Sequence, residues 1–329
     1  MREQHTITPL LANPSDQRHP WSTLFENTAC SPGGLNLKQL SPQQRELVSS
    51  LANRLGAIRG VKAVVLGGSH ARGRARPGSD IDLYILYSEA APFSTLSIRE
   101  LAEAVNDTRG PVVTDFYGWG PWVNGGAWLT IGGQRVDFLY RCLEHMERII
   151  VDAEAGRYEQ HYAQQPPFGF FSGAYLGEIA VCIPLFDPEA RLEELKRRVA
   201  NYPEALRNAV VQDYLWQAEL GLTAFAPKFA GRSGAYGTAA CLARAVNQLL
   251  LVLFALNRKY MMDDKTALAE VAEFERVPRE FAQRVQQALE HLGGSPEQLS
   301  AAVESVAQLF RETVELTDGL YQSRFALPK

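Results

Sequence analysis

The sequence predicts an α+β region followed by an all-α bundle, and three observations carry that expectation. The first half alternates short apolar runs rich in β-branched residues with segments of helical periodicity. Gly132-Gly133 lies between two such runs, as a hairpin turn does, so at least one strand pair is antiparallel. From Tyr202 onward no strand-like alternation survives, and Gly231, Gly234, Gly293 and Gly294 punctuate apolar stripes at helical spacing. The expected organisation is an irregular arm over residues 1–40, an α+β domain over 41–200 and a helical bundle over 201–329.

The arm is rich in Pro, Asn, Ser and Gly, with Trp21, Leu24 and Phe25 as its candidates for packing on the body. Ser41 is placed to cap a helix with Pro42 in its first turn, and Leu47, Val48, Leu51, Leu55 and Ile58 form its apolar stripe. Gly60 is expected to end it. Strands are expected at Val61–Leu66 and Asp80–Leu86, then a helix near Ser97–Asn106. Pro111–Tyr117, Ala127–Ile131 and Gln134–Tyr140 read as three further strands, and Glu144–Ala155 as a helix. Glu178–Phe186 reads as a strand stopped by Asp187-Pro188, and Glu189–Asn201 as an amphipathic helix. Five helical segments follow, at 203–229, 236–261, 265–274, 278–292 and 296–325.

The chemistry is concentrated between Val64 and Leu86. The first strand ends in Gly67-Gly68-Ser69, a turn whose backbone N–H groups can face a phosphate. Ten residues later come Asp80-Ile81-Asp82, two carboxylates at i and i+2 that share one face of a strand. Adjacent carboxylates repel, and burying them is costly unless a cation lies between them. Mg²⁺ (or Mn²⁺) suits carboxylate and phosphate oxygens. A phosphate-cradling turn facing a carboxylate pair is the layout of a nucleotidyl-transfer site. A third carboxylate must come from a neighbouring strand. Asp137, mid-strand among apolar residues, is favoured over Asp115, which lies nearer a Gly-rich loop.

Composition narrows the alternatives. The 329 residues are 46% hydrophobic and 21% charged, the proportions of an ordinary globular chain long enough for two domains. A net charge of −4 disfavours a long nucleic-acid footprint, although Arg72, Arg74 and Arg76 can form a local basic patch. Cys30, Cys142, Cys182 and Cys241 are far apart and suggest reduced thiols, with neither a zinc site nor a disulfide framework. The start lacks a signal-peptide core, and the longest apolar run, Leu249–Leu256, is too short to span a bilayer. A cytoplasmic location without membrane contact is the expectation.

Gly68-Ser69, ten residues, Asp80-x-Asp82 and a later strand carboxylate at Asp137 resemble the DNA polymerase β-type nucleotidyltransferase superfamily. Its smaller members include aminoglycoside and lincosamide nucleotidyltransferases and minimal antitoxin-like enzymes. The resemblance covers about residues 45–190, and Ile183–Pro188 looks like the family's late core strand. It implies a polymerase β-like mixed sheet with helices. It also implies that Gly68 and Ser69 contact the β- and γ-phosphates, with Gly67 beside them in the nucleotide-binding turn, that Asp80 and Asp82 bind metal, and that Asp137 holds the catalytic metal and helps deprotonate the acceptor. Arg72 falls where family members place a basic residue that faces the triphosphate or pairs with a carboxylate.

The function this implies is a Mg²⁺-dependent enzyme that moves a nucleoside monophosphate, AMP from ATP by family habit, onto a hydroxyl of an unidentified small molecule. Pyrophosphate is released, and a homodimer is possible in such enzymes. The alternatives are a protein-AMPylating antitoxin-like enzyme and a non-catalytic nucleotide-binding protein. Weaker candidates are His70 beside the serine, Glu178 as an auxiliary base, and Arg244, Asn247 and Lys265 facing an interdomain cleft. Trp119, Trp122 and Trp128 make an aromatic, Gly-rich loop that either walls a substrate pocket or plugs into the core.

Overall fold

The structure is a computed structural model that describes residues 37–325. The expectations for Trp21, Leu24, Phe25 and Cys30 lie outside the described residues. Leu37 and Leu40, at the end of the arm, are buried against the first helix. That helix, α1 (Pro42–Gly56), starts where Ser41 predicts. The Ser41 hydroxyl accepts from the Gln44 N–H at 3.2 Å, and Gln44 Oε1 accepts from the Ser41 N–H at 3.0 Å. This reciprocal pair satisfies two orphan donors of the first turn.

The strands are β1 (Val61–Leu66), β2 (Ile81–Tyr87), β3 (Val112–Val113), β4 (Gly126–Ile131), β5 (Gln134–Cys142), the short β6 (Gln160–His161) and β7 (Phe170–Phe171), and β8 (Ile183–Phe186). Six of them form one mixed sheet in the order β3-β4-β5-β2-β1-β8, while β6 and β7 pair separately. Only β2 and β5 run parallel within the six. Gly132 and Gly133 both have positive φ, +55° and +77°, and close the β4–β5 hairpin as their sequence requires. Between the strands lie α2 (Gly68–Ala71), α3 (Thr95–Val105), α4 (Leu143–Glu154), α5 (Ala174–Val181) and α6 (Arg191–Val199).

The C-terminal region contains α7 (Glu204–Leu220), a π-helical turn at Gly221–Phe225, α8 (Ala226–Ala230), α9 (Ala235–Leu256), α10 (Asp264–Val271), α11 (Phe281–Glu290) and α12 (Pro296–Glu315). By length and composition α9 could cross a membrane, yet 72% of its apolar window is buried inside the protein. It is the central helix of the bundle, packed on α7, α8 and α12.

Two expectations fail locally. Glu178–Phe186 is not one strand: Glu178 belongs to α5, and only Ile183–Phe186 is extended. An apolar run of this length does not distinguish a buried helix from a strand. The Pro111–Tyr117 strand shrinks to Val112–Val113, because the loop after it is tied by Asn124, whose Oδ1 accepts from the Tyr117 N–H at 2.8 Å.

The sheet divides two cores. Ile81, Leu83, Ile85, Val136, Phe138 and Tyr140 point to the side covered by α1 and α3. Alternate residues Tyr84 and Leu86 join Ala63 and Val65 in a larger core that continues through α4–α6 into α7, α9 and α12. The change of periodicity at residue 200 is therefore not where the cores divide. On this second face, above the helical packing, the sheet carries the acidic residues.

Candidate active site

One row of residues crosses the sheet on its second face. The β2–β5 register sets Asp82 beside Asp137, and the β4–β5 register sets Trp128 opposite Asp137. On the other side, the Gly67 N–H donates to the Asp82 carbonyl at 2.8 Å. The row thus reads Trp128, Asp137, Asp82, glycine turn. Asp82 and Asp137 face away from the α1/α3 core because their neighbours at i±1 fill it.

The glycine turn is fitted to the carboxylate. Gly68 has φ +56°, and a Cβ there would lie 1.7 Å from Asp82 Oδ2. A Cβ on Gly67 would lie 2.3 Å from the Tyr84 ring. The Tyr84 hydroxyl accepts from the Gly68 N–H at 3.3 Å, holding the turn against β2. Gly68→Ala is therefore expected to push the Asp82 carboxylate out of the row and strain the backbone, costing about 1–3 kcal/mol. Denaturant melts of this variant should show the loss, and wild-type stability would refute the fit.

The carboxylates are strongly coupled. Burial, followed by the charges of Asp137, Asp80 and Glu178, raises the Asp82 pKa to about 7 against the pull of Arg141. Burial and Asp80 raise that of Asp137 to about 6, with Arg135 and Lys265 opposing. Asp80 is drawn to Arg135, whose Nε lies 2.5 Å from Asp80 Oδ1. Among the described residues, no three His, Cys, Asp or Glu side chains close on one point. Nonetheless the all-oxygen donor set, crowded and short of counter-charge, suits a hard divalent cation. Such an ion would have to draw Asp80 away from Arg135.

These residues floor a cavity of about 900 Å³ between the sheet and the C-terminal helices, lined also by Ser69, Asn247, Met262 and Lys265. Arg72 lines it as well, but its guanidinium is held by Asp263 Oδ2 at 2.9 Å and by Glu270, both from the α10 segment. Arg74 reaches Glu273 at 2.8 Å in a more exposed position. The basic residues after the glycine turn thus bind the helical region to the sheet. His70 is buried at 4% exposure and does not line the cavity, and neither ring nitrogen has a partner within hydrogen-bond geometry. Asp115 lies outside the row and accepts from Thr95 Oγ1 at 2.8 Å.

Glu178 is not a free base. Its carboxylate receives Arg141 Nε and Nη2, both at 2.9 Å, and the guanidinium lies 4.7 Å above the Tyr84 ring. Asn247 donates to Asp264 Oδ1 at 3.0 Å, while Arg244 turns to Tyr162. Arg135, Arg141 and the acidic start of α10 were not singled out by sequence reasoning. The available signal was the i, i+2, i+4, i+6 spacing of Arg135, Asp137, Leu139 and Arg141, which puts them on one strand face.

Part of the chain that carries this row matches a known domain family. Residues 46–119 match the family described as nucleotidyltransferase domain, a stretch that takes in β1, the glycine turn, Asp80 and Asp82. The chain thus carries a nucleotidyltransferase domain and is a phosphorus-group transferase by class. Residues 177–265 match a second family, described as a domain of unknown function (DUF4037), which spans Glu178 and the start of α10. A solved nucleotidyltransferase-like protein from Exiguobacterium sibiricum superposes with a TM-score of 0.43 at 11% identity, over 84% of this chain and 78% of that one. No curated protein matches the sequence.

Proposed function

We propose that this chain transfers a nucleoside monophosphate, AMP from ATP, to a hydroxyl of a small-molecule acceptor with release of pyrophosphate. The observation that supports it most is the juxtaposition of Asp82 and Asp137 on adjacent parallel strands, with Gly68 pressed against Asp82 at the floor of the cavity.

In the reaction the acceptor oxygen forms a bond to the α-phosphorus, the bridging bond to the β-phosphate breaks, and the electron pair leaves with pyrophosphate. The turn at Gly67–Ser69 is placed to hold the departing phosphates. Asp137, on the far side of Asp82 from that turn, is placed to take the acceptor proton. Asp80, Asp82 and Asp137 would hold Mg²⁺, which supplies charge neutralisation for the incoming and leaving oxygens. Lys265, whose charge acts on Asp137, adds positive potential over the cavity. Holding the two substrates in line across the row is where positioning contributes to the rate.

The test is pyrophosphate release from each of the four NTPs with Mg²⁺ or Mn²⁺, with an acceptor panel and the Asp137→Asn variant alongside. Release that depends on acceptor and metal and is lost in the variant is expected, strongest with ATP. Nucleotide binding without release under every condition would refute the small-molecule reading and favour a nucleotide-binding protein or a protein acceptor.

A further inference from the structure

We propose that the stacked indoles of Trp119 and Trp128 form the acceptor subsite, and that it takes a small molecule whose reacting hydroxyl is carried on a ring. This rests on the nucleotidyl-transfer reading above and adds the side of entry and the shape of the acceptor.

The order of the row fixes the side. In an in-line displacement the attacking and leaving oxygens lie on opposite sides of the phosphorus. The glycine turn stands at the Asp82 end of the row, so the departing phosphates lie there and the attacking hydroxyl enters at the Asp137 end. The residue directly beyond Asp137 is Trp128, its cross-strand partner on β4. Opposed side chains on one sheet face start about 4.5–5.5 Å apart at Cβ, close enough for a ring on the indole to present a hydroxyl to the carboxylate.

The surface is built for contact. Trp128 is 54% exposed, and Trp119 stacks on it with centroids 4.8 Å apart and planes 18° from parallel. An indole left half in water on a sheet face is a natural place for a ligand ring, and such stacking tolerates many ring chemistries.

The loop that carries Trp119 is anchored. The Trp119 N–H donates to the Asn124 carbonyl at 2.8 Å, and Gln164 Nε2 donates to the Trp119 carbonyl. Asn124, itself buried, donates to the Tyr87 hydroxyl at 2.9 Å. The third tryptophan of the loop, Trp122, is buried against Phe170 with centroids 5.5 Å apart. One tryptophan therefore plugs the loop into the core, while Trp119 is held against Trp128, the cross-strand neighbour of Asp137. A platform fixed in advance loses little freedom on binding.

The test is ligand-observed saturation-transfer NMR on the full chain with uridine, phenyl β-glucoside and open-chain glycerol, using wild type, Trp128→Ala and Trp128→Phe. Trp128 is exposed, so both variants keep the fold. The expected result is transfer to at least one ring compound but not to glycerol, retained in Trp128→Phe and about tenfold weaker in affinity in Trp128→Ala. Uridine alone would identify a nucleoside-like acceptor, and the glucoside alone a sugar. No transfer to either ring compound, equal transfer to glycerol, or unchanged affinity in Trp128→Ala would overturn the subsite. Pyrophosphate release, measured in parallel, separates the two readings. Release that needs Asp82 without ring binding would sink the subsite alone; ring binding without release would sink the transferase reading and reduce the indoles to a ring-binding platform with no acceptor role.

Discussion

Asp82→Asn is expected to make the metal-free protein more stable above pH 7 while reducing transfer on the order of 10³-fold. Burial and the neighbouring carboxylates set the sign. Asp82 titrates near 7 in the folded chain against 3.8 when unfolded, so the folded state holds the proton more tightly. Stability from this group is complete below about pH 3.8, declines as pH rises, and is lost once pH passes about 7. Asparagine removes the penalty. A tenfold difference in proton affinity corresponds to about 1.4 kcal/mol, and discounting for partial exposure leaves a gain of about 1–3 kcal/mol at pH 8. Melting temperatures at pH 5 and pH 8 in EDTA check it: the advantage of Asp82→Asn should widen with pH. Mg²⁺ should then raise the wild-type melting temperature more than that of the variant. A constant difference across pH would show that the carboxylates do not repel as described.

The largest loss of stability is expected from Glu178→Ala, about 3–5 kcal/mol, because it leaves Arg141 charged and unpaired in the interior. Arg141 is 4% exposed and lies between the Tyr84 and Tyr175 rings, at 4.7 and 5.1 Å from their centroids. Its other hydrogen bonds, to the Tyr140 carbonyl at 3.1 Å and the Val123 carbonyl at 3.5 Å, cannot replace a carboxylate. The paired change Arg141→Met with Glu178→Leu should recover most of that loss, since apolar residues of similar volume avoid both desolvation costs. Chemical denaturation of the two proteins decides the matter. If Glu178→Ala alone costs under about 1 kcal/mol, solvent reaches the pair and it is not a buried bridge.

Much of the acidic row was legible because its signals are local. A β-branched run ending in Gly67-Gly68 and the i, i+2 aspartates specify strand, turn and strand without tertiary information. Asp137 could be nominated because an isolated carboxylate in an apolar strand needs a partner. Its placement beside Asp82, however, depends on β2 and β5 being parallel neighbours, and register between distant strands leaves no mark in either segment. The same limit hid the Arg72 clamp, whose partners Asp263 and Glu270 lie almost two hundred positions away. Glu178 was misplaced on a strand because the apolar stretch that follows it suits helix and strand alike. The tryptophan loop was ambiguous for a different reason: its indoles divide, Trp122 lying in the core while Trp128 is half exposed with Trp119 stacked on it.

The larger core, shared by sheet strands and C-terminal helices, has a consequence for how such a protein can diversify. Ala63, Val65, Tyr84 and Leu86 contribute to the same apolar mass as Leu215, Leu249 and Phe310. Exchanging the helical half for that of a relative would strip the back of the strands that carry Asp82 and Asp137 and leave them facing water. New specificities are therefore more accessible through surface loops such as that of Trp119, whose side chains change without reopening the interior, than through recombination of whole modules.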